Sequence, residues 1–334
     1  MARLLARVAG PLRLLDTPDA RKQHEGAVPI VGGLAVVLGG GLVLFAFGLA
    51  GGLQAFLGPV MLLLLLGVFD DVYGFAALPK LLVQLVAAVW LVYGSGLVLT
   101  HIPLPFLSGH MQLHGGGALL TVFVVVASIN AINMIDGLDG LAGGVLMLGF
   151  LNVAAAAAMV GRVEVLAPAL VCAGAIAGFL LWNVRFPWQA KARIFLGDAG
   201  ALALSMLLCA LAMSLSLSPA SGRVPVTVAF AVVAVPLADM LAVSVWRLRS
   251  GRNPMAGDRR HAHHLLLALG LGTNAVVFLI WTAALLTGAV TLLAWRFNVA
   301  EGRLLGVLLC AASLHLVWLH RMWAHVHARE TVPQ

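Results

Sequence analysis

The sequence predicts an all-α, polytopic integral membrane protein, a bundle of about ten transmembrane helices. Three observations predict this class. The chain has 334 residues, of which 62% are hydrophobic and only 10% charged, and its mean hydropathy is +1.03. Apolar runs of about 20 residues, each long enough to cross a ~30 Å hydrocarbon core, recur along it. The three cysteines, Cys172, Cys209 and Cys310, lie inside such runs, so the sequence predicts neither a disulfide framework nor a cysteine-based zinc site.

Each predicted span is an apolar run bounded by polar residues or turn formers. Residues 1–28 carry Arg3, Arg7 and Arg13 and are too short and charged to span, so we expect a cytoplasmic or interfacial segment without a signal peptide. Residues 29–323 are predicted to form one transmembrane domain that carries the functional site, and residues 324–334 a cytoplasmic tail. The ten spans are placed near 29–50, 54–69, 78–97, 117–133, 140–160, 163–183, 199–217, 224–246, 273–295 and 302–323.

The lysine and arginine count predicts which ends of the spans are cytoplasmic. Ten crossings put the connecting segments on alternating sides. One side holds sixteen of the twenty basic residues, and the other holds Arg162, Arg223, Arg296 and Arg303. Basic residues are enriched on the cytoplasmic side of membrane proteins. We therefore expect both termini in the cytoplasm, and we attribute the net charge of +7 to orientation rather than to nucleic-acid binding.

Acidic and amide side chains gather at the predicted cytoplasmic helix ends. Six of the thirteen acidic residues belong to this set. Ionisable groups at a membrane boundary are rare unless they bind something, so the set is a functional-site hypothesis. We expect loops near 69–79, 130–140, 184–198 and 247–272 to carry it, together with Lys80. The acidic and amide members are Asp70, Asp71, Asn130, Asn133, Asp136, Asp139, Asp198 and Asp239.

This grouping favours a hard divalent cation. Clustered carboxylates repel one another unless cations balance them, and oxygen ligands favour Mg²⁺, with Mn²⁺ as an alternative. Phosphates of a bound substrate would complete the balance beside Lys80, Arg259 and Arg260. Structural alternatives stay open at this point: Asp136 and Asp139 as caps or turn residues, Asp198 as the N-cap of the following span, and Asp239 as a hydrogen-bond partner of a neighbouring helix.

The histidines call for separate interpretations. His261, His263 and His264 crowd four positions, but no carboxylate or cysteine stands beside them at zinc spacing, so hydrogen bonds to sugar and phosphate are the better prediction. The sequence Ser108-Gly109-His110 matches the core of a lipid-phosphatase motif without its flanking basic elements, and it falls on the external side. The other histidines are interpreted as solvated or interfacial: His101, His110, His114, His315, His320, His325 and His327.

Five motifs in order resemble the polyprenyl-phosphate N-acetylhexosamine-1-phosphate transferases. They are DARKQHEGAVPIVGG at 19–33, DD at 70–71, NAINMIDGLDGL at 130–141, FLGDAG at 195–200 and DRRHAHHL at 258–265. The last motif looks like the HIHH form of the undecaprenyl-phosphate GlcNAc-1-phosphate transferase branch. Family members usually have eleven helices, with one ahead of the first motif. Only about fifteen residues precede that motif here, so either the start lies further upstream or this helix is missing.

The resemblance implies a reaction and a set of roles. Undecaprenyl phosphate would attack the β-phosphorus of a UDP-N-acetylhexosamine, most simply UDP-GlcNAc, to release UMP and leave a lipid-pyrophosphate sugar. Asp198 and Asn133 would hold Mg²⁺, and Asp70, Asp71, Asp198 and Lys80 would form the catalytic set. Asp70 and Asp71 would face the lipid phosphate as positioning groups rather than bases. Donor binding would fall to Lys22, His24, Asn130, Asn133, Asp136, Asp139, Arg259, Arg260, His261, His263 and His264.

Several alternatives stay open in the sequence. The donor could instead be UDP-FucNAc, UDP-QuiNAc, UDP-GalNAc or UDP-MurNAc-pentapeptide, and the product could serve O-antigen and lipopolysaccharide, common antigen, teichoic acid or capsule synthesis. A secondary transporter would place its charged groups near mid-membrane, often within repeats, and neither feature is seen here. We expect a bacterial inner-membrane enzyme with a cytoplasmic site, no nucleic-acid partner, and a homodimer only as a general prior.

Overall fold

The computed structural model describes residues 1–16, 26–217, 224–253 and 259–330, the last four of these by backbone alone. Four short strands form two separate antiparallel pairs: β1 (Leu15–Asp16) with β2 (Val28–Pro29), and β3 (His101–Pro103) with β4 (His110–Gln112). The helices are α1 (Ala2–Val8), α2 (Gly32–Ala46), α3 (Gln54–Tyr73), α4 (Ala77–Ser95), α5 (Gly117–Ile135), α6 (Leu141–Met159), α7 (Val163–Asn183), α8 (Gly197–Leu217), α9 (Val226–Ala231), α10 (Ala234–Arg249), α11 (Ala262–Ala268), α12 (Thr273–Arg296) and α13 (Glu301–Glu330).

The helices confirm the predicted class, a multi-pass membrane bundle. Eight helices in the described part of the chain are long and apolar enough to cross a membrane, namely α3 to α8, α12 and α13. The predicted first span is shorter than expected. Its helix, α2, has 15 residues and therefore rises only about 22 Å at 1.5 Å per residue.

The predicted span at 224–246 is not one continuous helix. It is divided into α9 and α10, which are separated at Val232 and Val233. Pro236 lies in the first turn of α10, where its missing N–H is tolerated, but it could not donate to a carbonyl four residues earlier in a continuous helix. The apolar pattern therefore predicts the position of this segment correctly, but the prediction of one continuous helix is wrong.

Two predicted loops are mostly helical. Asp70 and Asp71 lie in the last turn of α3, and only Gly74 to Ala76 connect this helix to α4. Asn130 and Asn133 likewise lie within α5, and the connection to α6 begins only at Asp136. The predicted tail after residue 323 is also helical, because α13 continues to Glu330. The sequence predicts loops at these places because polar residues at the ends of the helices interrupt the apolar runs.

The helix α8 lies at the centre of the bundle. In the most apolar 18-residue stretch of α8, 83% of the residues are buried inside the bundle, whereas the corresponding share is 22% in α12 and in α13. Glycines bring its first turn against two neighbours. A Cβ on Gly33 of α2 would lie 2.2 Å from the Cα of Gly200, and a Cβ on Gly67 of α3 would lie 2.3 Å from the Cα of Ala199. Both contacts are too short for any side chain, so glycine is required at residues 33 and 67.

Successive long helices run in opposite directions between the two ends of the bundle. At one end the hairpin β3–β4 contacts the start of α13, where the amide of Phe106 donates to the carbonyl of Gly302 at 2.8 Å. His110 of this hairpin lies 3.5 Å from Glu301. The ends of α3, α5 and α7 and the beginnings of α4, α6 and α8 lie at the other end, where hydrogen bonds join them. The predicted clustering of polar motifs at one end is therefore confirmed.

Candidate active site

A cavity of about 710 Å³ opens at the end of the bundle where the polar motifs meet. Pockets that bind small molecules typically measure about 300–1,000 Å³, so a nucleotide sugar is within its capacity. Its polar lining comes from five connections or helix ends that lie far apart in sequence. These lining residues include Asp16, Asp71, Asp136, Asp139, Asn183, Arg185, Asp198, Arg259 and His264.

Asp71 caps the N-terminus of α8 from a different helix. Its Oδ1 accepts the amide N–H of Asp198 at 2.9 Å, and its Oδ2 accepts that of Ala199 at 3.2 Å. These amides belong to the first turn, which lacks intrahelical partners, and the positive end of the helix dipole favours a carboxylate there. The close approach at Gly67 lets α3 reach this position. Asp71 therefore fixes the backbone that carries Asp198.

Asp198 lies between an amide and an ammonium group. Its Oδ1 accepts from Nδ2 of Asn133 at 2.8 Å, and its Oδ2 lies 3.3 Å from Nζ of Lys80. Lys80 is also 2.6 Å from Oδ2 of Asp70, whose Oδ1 accepts the amide of Phe75 at 2.6 Å. One lysine thus balances two carboxylates, and Asp70 is buried behind it. Because Asp71 provides the cap, the alternative in which Asp198 is itself the N-cap of α8 is not needed.

The connection from α5 to α6 adds two acidic groups. Oδ2 of Asp139 accepts from Nε of Arg185 at 2.6 Å, so this carboxylate is paired. Asp136 is accessible from the cavity, yet the protein around it desolvates the carboxyl. This desolvation, with the negative charges of Asp198 and Asp139, raises the pKa of Asp136 to about 7. A positively charged or hydrogen-bond-donating ligand part would stabilise its ionised form.

Residues 259–264 divide into two sets. Arg259 and His264 line the cavity. Arg260, His261 and His263 contact the protein instead, although all five were predicted to bind substrate. The guanidinium of Arg260 lies 3.6 Å from the ring centroid of Trp246. The structure therefore brings only part of this motif to the cavity wall.

His263 is buried next to the α5–α6 connection. It is 1% exposed, and neither ring nitrogen has a hydrogen-bond partner among the described residues. Its Nε2 lies 2.8 Å from the position of a Cβ on Gly137, so only glycine leaves room for the ring. Burial, with the neighbouring charges of His264 and His261, lowers the pKa of His263 to about 3. The ring is therefore neutral at physiological pH.

Asp239 holds the loop rather than lining the cavity. Its Oδ1 accepts the amide of Ala262 at 2.9 Å, which caps α11, and its Oδ2 lies 2.7 Å from Nδ1 of His261. His315 of α13 reaches the same carboxylate at 3.3 Å. The structural alternative for Asp239 is thus the one observed. The interpretation of His315 as solvated or interfacial is wrong, because the pairing partner lies on a helix distant in sequence.

The remaining predicted residues lie in other positions. Nδ2 of Asn130 donates to Oε1 of Gln84 at 2.5 Å and to the carbonyl of Val126 at 2.8 Å, within the helix bundle. Lys22 and His24 lie outside the described residues. Substrate-binding roles for these three residues stay predictions.

Two polar residues at the end of α7 were missed by the sequence analysis. Asn183 accepts the amide of Gly140 at 2.6 Å and donates to the carbonyl of Ile194 at 2.8 Å, so it joins two walls of the cavity. Arg185 pairs with Asp139, as described above. Their signal was available, since Asn-Val-Arg follows an apolar run at the same predicted face as Asn133.

The described residues contain no cluster of three or more histidine, cysteine or acidic side chains suited to a metal ion. That finding excludes an all-protein cage of such groups within the described ranges. Mg²⁺ typically takes one or two carboxylates and completes its shell with water and substrate phosphates. Adjacent ligands of Mg²⁺ lie about 3 Å apart at a metal–oxygen distance of about 2.1 Å. The 2.8 Å between Asp198 and Asn133 fits such an edge, if the asparagine amide turns to present oxygen.

Comparison with known proteins gives a consistent result. The family model described as Glycosyl transferase family 4 matches residues 53–216. The undecaprenyl-phosphate α-N-acetylglucosaminyl 1-phosphate transferase of Escherichia coli (strain K12) is 31% identical over 323 residues, which cover 95% of this chain and 86% of that protein.

Other relatives agree. The Salmonella typhimurium (strain LT2) protein of the same name is 31% identical over 96% of this chain and 87% of its own. A probable undecaprenyl-phosphate N-acetylglucosaminyl 1-phosphate transferase of Bacillus subtilis (strain 168) is 32% identical over 83% of this chain and 76% of its own. With the cavity and its carboxylates, this similarity shows that the chain belongs to glycosyl transferase family 4, among the relatives of the undecaprenyl-phosphate N-acetylglucosaminyl 1-phosphate transferases.

Proposed function

We propose that this protein transfers N-acetylglucosamine 1-phosphate from UDP-GlcNAc to undecaprenyl phosphate and releases UMP. The observation that carries the proposal is the meeting of Asp71, Asn133 and Asp198. Asp71 and Asp198 line the cavity, and Lys80 lies between Asp70 and Asp198. Such a set suits a diphosphate that arrives with a divalent cation. The names of two relatives from different bacteria, both of which mention undecaprenyl phosphate and N-acetylglucosaminyl 1-phosphate transfer, support the acceptor and the transferred group.

The reaction requires that the two reacting phosphates be aligned and that their negative charge be balanced. An oxygen of the lipid phosphate would form a bond to the β-phosphorus of the donor, and the bond from that phosphorus to the bridging oxygen would break, so that UMP leaves with the electron pair. A phosphate monoester has a second pKa near 6 and is largely ionised at pH 7, so no base is needed. The contributions of the protein would then be positioning and electrostatic stabilisation.

The contacts support a specific role for each charged group. Both oxygens of Asp71 are engaged by amides of α8, and both oxygens of Asp70 are engaged by Lys80 and Phe75. We therefore assign these two carboxylates to positioning Asp198 and Lys80. Lys80 would move from its carboxylates to the donor phosphates as these bind, and Arg259 and His264 would contact the donor from the facing wall.

Asp198 and Asn133 would hold Mg²⁺, or Mn²⁺ in its place. The bound ion would offset the negative charge that gathers on the two phosphates. Asp136, Asp139 and Asn183 would contact the uridine side of the donor. We place the enzyme in the bacterial inner membrane with the cavity facing the cytoplasm, as the distribution of basic residues supports. Homodimer formation and the pathway that uses the product stay predictions.

The first experiment measures UMP release by membranes that contain the protein, undecaprenyl phosphate, UDP-GlcNAc and Mg²⁺. Asp198→Asn should lower the rate at least about 1,000-fold, because a metal ligand supplies several kcal/mol of transition-state stabilisation. Glu164→Gln is the matched control, since Glu164 lies in the first turn of α7, at the opposite end of the bundle from Asn183 and the cavity. Full activity of Asp198→Asn, or turnover in the presence of a chelator, would contradict the metal assignment.

The same assay can resolve the donor and the order of steps. UMP release in a panel of UDP-GlcNAc, UDP-GalNAc, UDP-FucNAc, UDP-QuiNAc and UDP-MurNAc-pentapeptide should be largest with UDP-GlcNAc. Direct attack by the lipid predicts no UMP before undecaprenyl phosphate is added. A stoichiometric burst of UMP without lipid would instead indicate a covalent enzyme intermediate.

A further inference from the structure

We propose that the last helix, α13, positions the donor-binding loop, and that Trp323 and His315 are positioning residues for the transfer reaction. The inference rests on the proposed function, because it takes the loop of residues 259–264 to contact the donor. Neither side chain lines the cavity. Both act on the loop from behind, through contacts that the predicted motif of residues 258–265 does not contain.

Trp323 holds the backbone and the side chain of one loop residue. Its Nε1 donates to the carbonyl of Arg260 at 2.8 Å. The guanidinium of Arg260 lies 5.7 Å from the indole of Trp323 and 3.6 Å from that of Trp246 on α10. A cation between two aromatic rings is stabilised by both. Arg260 is therefore drawn away from the cavity, while the preceding residue, Arg259, faces it.

His315 acts on the other side of the same loop. Its Nε2 lies 3.3 Å from Oδ1 of Asp239, the oxygen that also accepts the amide of Ala262. Asp239 is buried, with 4% of its surface exposed, and it accepts from His261 as well. A buried carboxylate needs several donors to remain ionised. His315 thus helps to hold the carboxylate that caps α11.

A small apolar cluster joins these contacts. It is separate from the main core of the bundle and contains residues from three helices. Its buried members are Ala242 and Val243 of α10, Leu265 of α11, and Leu319 and Val326 of α13. His320 adds a contact to the carbonyl of Ala242 at 3.1 Å. The loop therefore contacts α13 at Arg260 and at Leu265, next to the cavity-facing residues Arg259 and His264.

The test separates a positioning effect from a general loss of folding. Trp323→Phe keeps an aromatic ring beside Arg260 and removes only the N–H donor, so we expect the KM for the UDP-sugar to rise about 5-fold, as for one lost hydrogen bond. Trp323→Leu also removes the ring and should raise it about 30-fold. In both, kcat and the KM for undecaprenyl phosphate should change less than about 3-fold.

Two comparisons make this result specific. Leu314→Ala alters the same helix at a side chain that is 70% exposed, and it should leave both KM values unchanged. Arg259→Ala should raise the donor KM by itself. If Trp323 acts through the loop, adding Trp323→Leu to Arg259→Ala should raise the KM by much less than the product of the single effects. Fully multiplicative effects would overturn the proposal.

A second readout needs no substrate. Cys172 and Cys209 are buried, and Ala262 is partly buried against the small cluster. In a Cys310→Ala background, Ala262→Cys therefore reports the opening of the loop by its rate of thiol labelling. His315→Leu and Trp323→Leu should each speed labelling at least about 10-fold, because an opened loop exposes the residue. His315→Gln, which can still donate to Asp239, should restore most of the protection.

The outcomes distinguish the two proposals. If labelling and donor KM are both unchanged in the Trp323 and His315 variants, α13 does not position the loop and the inference is overturned. Faster labelling with an unchanged donor KM overturns the positioning role toward the donor. If the unaltered protein releases no UMP from any UDP-sugar, the proposed function fails, while the labelling still decides whether α13 supports the loop.

Discussion

Two helix beginnings at the cavity are built in the same way and supported differently. At α8, Asp71 of α3 accepts two first-turn amides, and at α11, Asp239 of α10 accepts the amide of Ala262. The first turn of α8 also contacts its neighbours through glycines 33 and 67, in the centre of the bundle. By contrast, α11 has 7 residues and rests on the small cluster beside α13. The Asp198 side of the cavity is therefore held by the core, and the loop of residues 259–264 by a few peripheral contacts.

Among the changes that test this comparison, the largest effect is expected from removing the two caps one at a time. Asp71→Asn keeps the shape but exchanges a charged acceptor for an amide, which misplaces Asp198, so we expect kcat to fall at least about 100-fold. Asp239→Asn should instead raise the donor KM about 10-fold and change kcat by less than about 3-fold. Steady-state UMP release with each substrate varied measures both. Equal effects on kcat would show that the two caps do not differ in role.

A smaller effect is expected from the glycine contact at α8. Gly67→Ala would place a Cβ 2.3 Å from backbone atoms of Ala199, so the helices must separate, at a cost of about 1–3 kcal/mol of stability. We expect a lower melting temperature and a loss of activity beyond the loss of folded protein. Gly178→Ala on α7 is the control, since nothing lies within 4 Å of its added Cβ. Equal melting temperatures for the two variants would contradict the contact.

At mildly acidic pH, where only a small part of the pKa difference of His263 is expressed, the smallest effect is expected on the loop side. The pKa of His263 falls to about 3 in the folded protein, below the ordinary value of 6.5. The unfolded chain therefore binds this proton first, and His263 lowers stability progressively as the pH falls from about 6.5 toward 3. His263→Gln should lose part of that acid sensitivity, measured as melting temperature against pH in detergent. An identical slope in both proteins would show that the ring is not buried in its neutral form.

The sequence predicted the membrane bundle and the convergence of its motifs for physical reasons. Apolar runs of spanning length and the asymmetry of basic residues are local signals. Because successive spans cross the membrane in opposite directions, these signals place Asp70, Asn133 and Asp198 at one end of the bundle without any knowledge of packing. The same reasoning applies to Asn183 and Arg185, because the polar residues after 182 follow an apolar run as those after 129 do.

What the sequence could not predict depends on contacts between distant helices. Nothing near Asp71 indicates that it caps α8, which begins more than a hundred residues later, and nothing near His315 indicates Asp239 as its partner. The division of residues 259–264 between cavity and support likewise follows from Trp246 and Trp323, which lie on two other helices. Helix ends were also misplaced, because polar residues in a last helical turn interrupt an apolar run as a loop does.

The length of α13 has a consequence for how the membrane itself acts on the enzyme. Its 30 residues rise about 45 Å, well beyond a hydrocarbon core of about 30 Å. A spanning helix changes its tilt when the bilayer thickness no longer matches the length of its apolar stretch. Only 22% of the most apolar stretch of α13 is buried inside the bundle, so α13 can tilt more readily than the enclosed α8. A thinner or thicker bilayer should therefore alter the capture of the sugar nucleotide before it alters the rate of phosphoryl transfer.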